Sequence, residues 1–219
     1  MTQLNLEWVK ENFNKENLIV FDIGAADMEV SRTIRHSIPT AKLYAFEAFD
    51  YWHAKNQKTA LQLDINYFKV AVCDTDGTTI FHPCLTEGGK DHPFSGSIFR
   101  PMDFHTKHHQ QVYGDPVTID SIRLETFCKE HNITPDFIHI DVEGAELKVF
   151  QNIGEYKPKC IWAEIGAFQC YDSNTSVYEF NQLMTNMGYY MVYGPPDNNS
   201  DALYCLSDFK ITPYIPKKP

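Results

Sequence analysis

The sequence predicts an α/β fold built on a doubly wound, mostly parallel sheet with right-handed crossovers, and three observations carry that reading. Short continuous apolar runs such as Leu18-Ile19-Val20-Phe21 are what a strand buried on both faces requires. Segments of helical period separate these runs, so strands and helices alternate. Acidic residues stand at the carboxyl ends of several runs, which is where an open α/β sheet places its ligand.

The elements follow in order. Leu18 to Phe21 is the first strand; it runs into Asp22-Ile23-Gly24, and a helix follows from Met28 to His36. Lys42 to Phe46 is the second strand and ends on Glu47, with Asp50 placed to cap a helix reaching Leu63. Tyr67 to Val72 is the third, and beyond the Asp76-Gly77 turn Thr78 to His82 extends again. Periodicity then disappears between Cys84 and Asp115, 32 residues with four glycines, two prolines and four of the nine histidines. So long a structureless stretch marks a functional or disordered segment. Regularity returns with a strand at Val117 to Ile119, a helix from Ser121 to His131 and a strand from Phe137 to Ile140 that ends on Asp141. A helix from Ala145 to Asn152, a strand from Cys160 to Ile165 and a helix from Val177 to Met187 come next. Strands at Tyr189 to Tyr193 and Leu203 to Leu206 flank a hairpin loop from Gly194 to Ser200. With no internal repeat and no linker, the chain reads as a single domain over residues 1–219 carrying an insert, or lid, at about 84–115.

Composition narrows the partners. A formal charge of −10, from 19 basic and 29 acidic residues, has the wrong sign for a protein that draws affinity from nucleic-acid phosphates. No segment has the ~20 apolar residues of a membrane helix, so no membrane partner is expected. Glu7, Lys10 and Glu11 break the apolar pattern at the N-terminus, unlike a signal peptide. The six cysteines show neither C-x-x-C nor metal-ligand spacing, and read as small buried hydrophobes in a reducing, cytoplasmic setting.

Asp22, Glu47, Asp141 and Glu164 each lie at or beside the end of a strand, and Glu143 follows two residues after Asp141. One such acid is as readily a helix N-cap; four on one rim suggest a ligand. The turn Asp22-Ile23-Gly24-Ala25-Ala26-Asp27, with Glu47 placed 23 residues after Gly24, is a weak nucleotide fingerprint. A dinucleotide pyrophosphate needs glycines and backbone N–H groups at that turn, and Asp22 and Asp27 would repel it. Two carboxylates suit a ligand with a ribose, an ammonium group and a sulfonium, which describes S-adenosylmethionine.

The corner Ile138-His139-Ile140-Asp141-Val142-Glu143-Gly144-Ala145-Glu146 sharpens this. There the sequence resembles the FkbM family of S-adenosylmethionine-dependent methyltransferases. The resemblance runs from about Leu18 to Leu206 and includes Tyr44-Ala45-Phe46-Glu47-Ala48, Ala71-Val72 with Asp76-Gly77, Ser95-Gly96-Ser97, Val117-Thr118-Ile119-Asp120 and Trp162-Ala163-Glu164-Ile165. It implies a class I methyltransferase fold, a Rossmann-like, mostly parallel seven-stranded sheet whose last strand is antiparallel. It also implies that Asp22, Gly24 and Ala25 line the methionine end of the cofactor, that Glu47 holds the ribose hydroxyls with Ala48 as a further cofactor contact, and that Val72 and Cys73 flank adenine. The family's turn has a glycine where this chain has Met28 and an asparagine where it has Ala26.

Methyl transfer to a hydroxyl is an in-line displacement that needs alignment and removal of a proton. Glu143 is the candidate base, with Asp141 as its catalytic neighbour and a further cofactor contact. Asp141, Glu143 and Glu164 form a candidate Mg site of hard oxygen ligands. His105, His108 and His109 stand at helical spacing without a matched acid, and read as solvated residues of the insert. The expected acceptor is a hydroxyl of a glycan or secondary metabolite. The alternative of another class is a catalytically inactive, methyltransferase-like binding module, favoured by Met28.

Overall fold

The computed structural model describes residues 4–13, 16–91, 93–166, 170–173, 175–194 and 200–216, with the side chains of His105 and Ser200 outside the description. The chain runs α1 (Leu6–Phe13), β1 (Ile19–Ile23), α2 (Glu29–Ser37), β2 (Lys42–Phe46), α3 (Asp50–Leu63) and β3 (Asn66–Phe68). It continues through β4 (Ala71–Cys73), β5 (Gly77–Phe81), β6 (Cys84–Glu87), β7 (Lys90–Asp91), α4 (Asp103–His109), β8 (Gln111–Tyr113) and β9 (Val117–Arg123). The remainder is α5 (Leu124–His131), β10 (Phe137–Ile140), α6 (Glu146–Phe150), β11 (Cys160–Ile165), α7 (Val177–Asn186), β12 (Tyr189–Tyr193) and β13 (Ser200–Leu206).

Seven strands form the main sheet in the order β12-β13-β11-β10-β1-β2-β3. β3, β2, β1, β10 and β11 are parallel neighbours, and β13 runs antiparallel to β11 and β12. Strand order reverses between β1 and β10, which makes their carboxyl ends the switch point where such sheets bind ligands. Side-chain alternation gives each sheet face its own core. Val20, Leu43, Phe137, Trp162 and Leu203 pack on one face; Phe21, Phe46, Ile138, Ile161 and Tyr204 pack on the other. Toward the carboxyl ends the first face turns polar, because Asp22, His139, Glu164 and Asp201 continue its alternation. Among the described residues no helix is long and apolar enough to cross a membrane.

The structure corrects several expectations. The third predicted strand is two: β3 stays in the main sheet, while β4 joins a second sheet of order β4-β9-β5. The helix expected from Ser121 starts at Leu124, because Ser121 to Arg123 pair with β4 and lengthen β9. Tertiary pairing overrides local helical period there. The stretch from 84 to 115 is not structureless; β7, β6 and β8 form a small sheet and α4 packs beside it. Met28 lies just outside α2 in the left-handed region, at φ 62°, and Phe49 rather than Asp50 precedes α3. Cys160 and Cys205 are not free thiols: they are opposite residues of the antiparallel β11/β13 pair and form a disulfide. Most of the predicted hairpin loop, 195–199, lies outside the described residues.

Candidate active site

A cavity of about 1180 Å³ opens over the carboxyl ends of β1, β2 and β10. Of the residues expected there, Asp22, Gly24, Ala25, Glu47, Ala48 and Val72 line one side. Asp141, Glu143 and Glu164 line it as well. Cys73 does not; strand alternation turns it from Val72, and its thiol contacts Thr75 O at 3.7 Å.

The rim is held by the backbone. Gly24 adopts φ +81°, and a Cβ added there would sit 1.7 Å from Asp141 O, so only glycine lets the β1 turn touch the end of β10. The Gly24 and Ala25 N–H groups both donate to Phe46 O. Glu47 accepts from Phe49 N at 2.6 Å and Ala26 N at 2.8 Å. Burial nevertheless outweighs those bonds and raises its pKa to about 7. Ala26, at φ 42°, and Met28 both take left-handed backbone without being glycine. The Met28 side chain is fully buried in the core and lies outside the cavity lining, so it does not obstruct a ligand. Asp27 is committed elsewhere, to Arg32 at 3.2 Å and Lys55 at 3.1 Å.

Below the rim, Asp22 is gripped on both oxygens. Ser31 Oγ donates to Oδ2 at 2.5 Å, and His139 Nδ1 lies 2.8 Å from Oδ1. Burial pushes the His139 pKa down, but the hydrogen bond and charge of Asp22, with Asp201 and Glu164 nearby, more than offset it and raise it.

The corner after β10 carries the candidate base. Glu143 sits at φ 53°, a strained position for a residue with a Cβ, and Gly144 follows at φ 94°. Partners fix this corner from every side. Glu146, itself 1% exposed, accepts from Val142 N and Gly144 N; Thr175 donates to Gly144 O; Ser97 Oγ donates to Glu143 O at 2.8 Å. Tyr171 OH is 3.0 Å from both Glu143 Oε2 and Ser95 O. A phenol has one proton for two acceptors. It serves Glu143 when that group is ionised; when Glu143 is protonated the acid can donate to the phenol, freeing Tyr171 to serve Ser95. Removal from bulk water, then the charge of Glu164, raise Glu143 to about 8 against the opposing Tyr171 hydrogen bond. Burial and then the charges of Glu164, Glu143 and Glu146 hold Asp141 well above the usual carboxylate range.

The opposite wall comes from residues far away in the chain. Trp52, Phe81, Phe94 and Tyr171 line it, and Trp52 Nε1 donates to Pro93 O at 3.0 Å. His108 and His109 lie in helical α4 and reach the lining, where His109 stands 3.4 Å from Glu87; the acid that local spacing did not supply comes from β6. Among the described residues no group of three His, Cys, Asp or Glu side chains is arranged to hold a metal ion, and the expected Mg at Asp141, Glu143 and Glu164 is not supported. Ser31, Thr175 and Tyr171 carried no signal in the sequence, because each acts through a contact made only in the fold.

Comparison with known proteins bears on the fold and the family. The chain is similar to a methyltransferase FkbM from Methylobacillus flagellatus KT, at 14% identity over 86% of this chain and 43% of that chain, with a TM-score of 0.51. It thus spans less than half the length of that relative. It is also similar to the plantazolicin methyltransferase BpumL in complex with SAH, at 12% identity over 90% of this chain and 79% of that chain, with a TM-score of 0.50. At such identities these likenesses show the shared fold: a class I methyltransferase sheet, mostly parallel, with its antiparallel β13. No curated protein matches the chain. The methyltransferase FkbM domain matches residues 22–191, from the Asp22 turn into β12, and the chain therefore belongs to the FkbM methyltransferase family.

Proposed function

We propose that this chain is an S-adenosylmethionine-dependent O-methyltransferase acting on a hydroxyl of a small molecule or glycan. The observation that carries the reading is Glu143, a carboxyl raised to about 8 on the wall of the cavity that the strand-end rim also lines. A group with that pKa is suited to take a proton near neutral pH. The donor set fits the cofactor: acids line the rim, and among the described residues no lysine or arginine joins them to receive a pyrophosphate. Asp22, Gly24 and Ala25 would hold the methionine end, Glu47 and Ala48 the ribose hydroxyls, and Val72 with Val70 the adenine. When bound, the cofactor supplies an electrophilic methyl group on a sulfonium.

The chain's own residues supply the rest. Glu143 accepts the acceptor's hydroxyl proton, and the corner strapped by Ser97, Thr175 and Glu146 keeps its carboxyl from drifting. Burial and the charge of Glu164 raise the Asp141 pKa as well, which disfavours a second full negative charge beside Glu143. Residues 84–115, as the lid of this reading, shape the acceptor side and exclude water with Phe94 and its aromatic neighbours. The test is transfer of labelled methyl from S-adenosylmethionine to a panel of hydroxylated glycans and small molecules, read as alkali-stable methyl ether. Ether formed by the wild type and lost in Glu143→Gln supports the reading; ether formed equally by Glu143→Gln overturns the base assignment.

A further inference from the structure

A methionine moiety brings a carboxylate as well as an ammonium group, and that carboxylate needs a donor. The rim offers few. The N–H groups of Gly24 and Ala25 are committed to Phe46 O, and that of Ala26 to Glu47. On the facing corner, Val142 and Gly144 N–H serve Glu146, and Ala145 N–H serves Val142 O. Among the described residues three histidines line the cavity: His108 and His109 on α4 against the distant wall, and His139 on β10 at the switch point. His139 Nδ1 faces Asp22 at 2.8 Å, and among the described residues its Nε2 has no hydrogen-bond partner. A ring whose Nδ1–H is bonded to a carboxylate directs its other nitrogen outward, and in the cationic form that nitrogen is a charged donor.

We propose that His139 binds the carboxylate of the cofactor's methionine moiety through Nε2, with Asp22 and Ser31 acting as positioning residues that hold the imidazole ring in place. The inference rests on the cofactor reading above. It reassigns Asp22: a carboxylate engaged on both oxygens orients the histidine, and the histidine meets the ligand. A charged imidazole at this place would also offset the surrounding acids, Asp22, Glu164 and Asp201, which otherwise repel an incoming carboxylate.

The test is calorimetric and needs no acceptor. S-adenosylhomocysteine is compared with S-adenosyl-3-thiopropylamine, which keeps the ammonium group and lacks the carboxylate. The wild type is expected to prefer S-adenosylhomocysteine by about tenfold or more, the worth of one charge-assisted hydrogen bond. In His139→Ala that preference falls to about twofold or less, while affinity for the amine stays within about threefold of wild type. His139→Asn keeps a donor near the Nδ1 position for Asp22 and lacks Nε2; it is expected to lose the preference as well, and it stands in should the alanine variant fold poorly. Preference retained in either folded variant overturns the proposal and leaves the cofactor reading intact. A wild type that binds neither compound overturns both.

Discussion

The two walls of the cavity are built by different physics. The rim over β1, β2 and β10 is made of short-range contacts of the backbone at neighbouring parallel strands: Gly24 packed closely against Asp141 O, the Gly24 and Ala25 N–H groups donating to Phe46 O, and Ala26 N–H donating to the Glu47 carboxylate. The facing wall is made of side chains from separate excursions, with Trp52 on Pro93, Tyr171 on Ser95 and Glu143, and His109 on Glu87. The first leaves no room for a side chain at Gly24, whereas the second is expected to accept substitution with less disturbance of the strand ends.

Variants that break each wall separately should read out differently. The largest effect is expected at Gly24→Ala, whose Cβ has no room beside Asp141 O; loss of roughly 3 kcal/mol or more of stability, seen in denaturant melts, should accompany loss of S-adenosylhomocysteine binding. Glu143→Gln comes next, lowering kcat by about 10²- to 10⁴-fold while leaving cofactor affinity within about threefold; steady-state kinetics and calorimetry on one preparation check both halves. Met28→Ala removes a fully buried side chain that lies outside the cavity lining. It should cost about 2–5 kcal/mol of stability with cofactor affinity unchanged, and an equal fall in affinity would mean that the core beneath the rim tunes it.

Smaller effects sharpen the second wall. Tyr171→Phe deletes the hydrogen bond that lowers the Glu143 pKa, so the rising limb of kcat/KM against pH should move upward from about 8. An unchanged limb would detach Tyr171 from the base. The pH dependence of stability has a definite sign. Glu47, Glu146 and Glu143 are raised to about 7, 7 and 8, and His139 is raised above its ordinary value. Groups raised in the folded state stabilise it fully below their ordinary pKa and cease to do so as pH climbs through the raised one. The melting temperature of the ligand-free protein is therefore expected to be higher near pH 5.5 than near pH 8.5, by differential scanning fluorimetry; the opposite slope would contradict the burial of these acids.

The same contrast explains what could be read in advance. β2, β10, β11 and β12 match their sequence runs end to end; the continuous apolar runs of β10 and β11 report strands covered on both faces, whereas β12 is an edge strand with Tyr190 and Met191 exposed. The acids of the rim were legible because they sit at strand ends, and strand ends converge at a switch point whatever the side chains do. What failed depended on partners distant in sequence. Ser121 to Arg123 carry helical period yet pair with β4, and Lys69-Val70 hides the step from one sheet to another. Cys160 and Cys205 meet only through the β11/β13 register. Tyr171 gives no local sign that it will touch Glu143, and His139 showed a strand position without showing that Asp22 would hold its ring.

The central claim is that the strand-end rim is a socket for S-adenosylmethionine. Isothermal titration of S-adenosylhomocysteine into the wild-type chain tests it most directly. The account predicts saturable one-to-one binding that disappears in Gly24→Ala and persists in Glu143→Gln; absence of binding at millimolar ligand, with a folded wild-type protein, would contradict it.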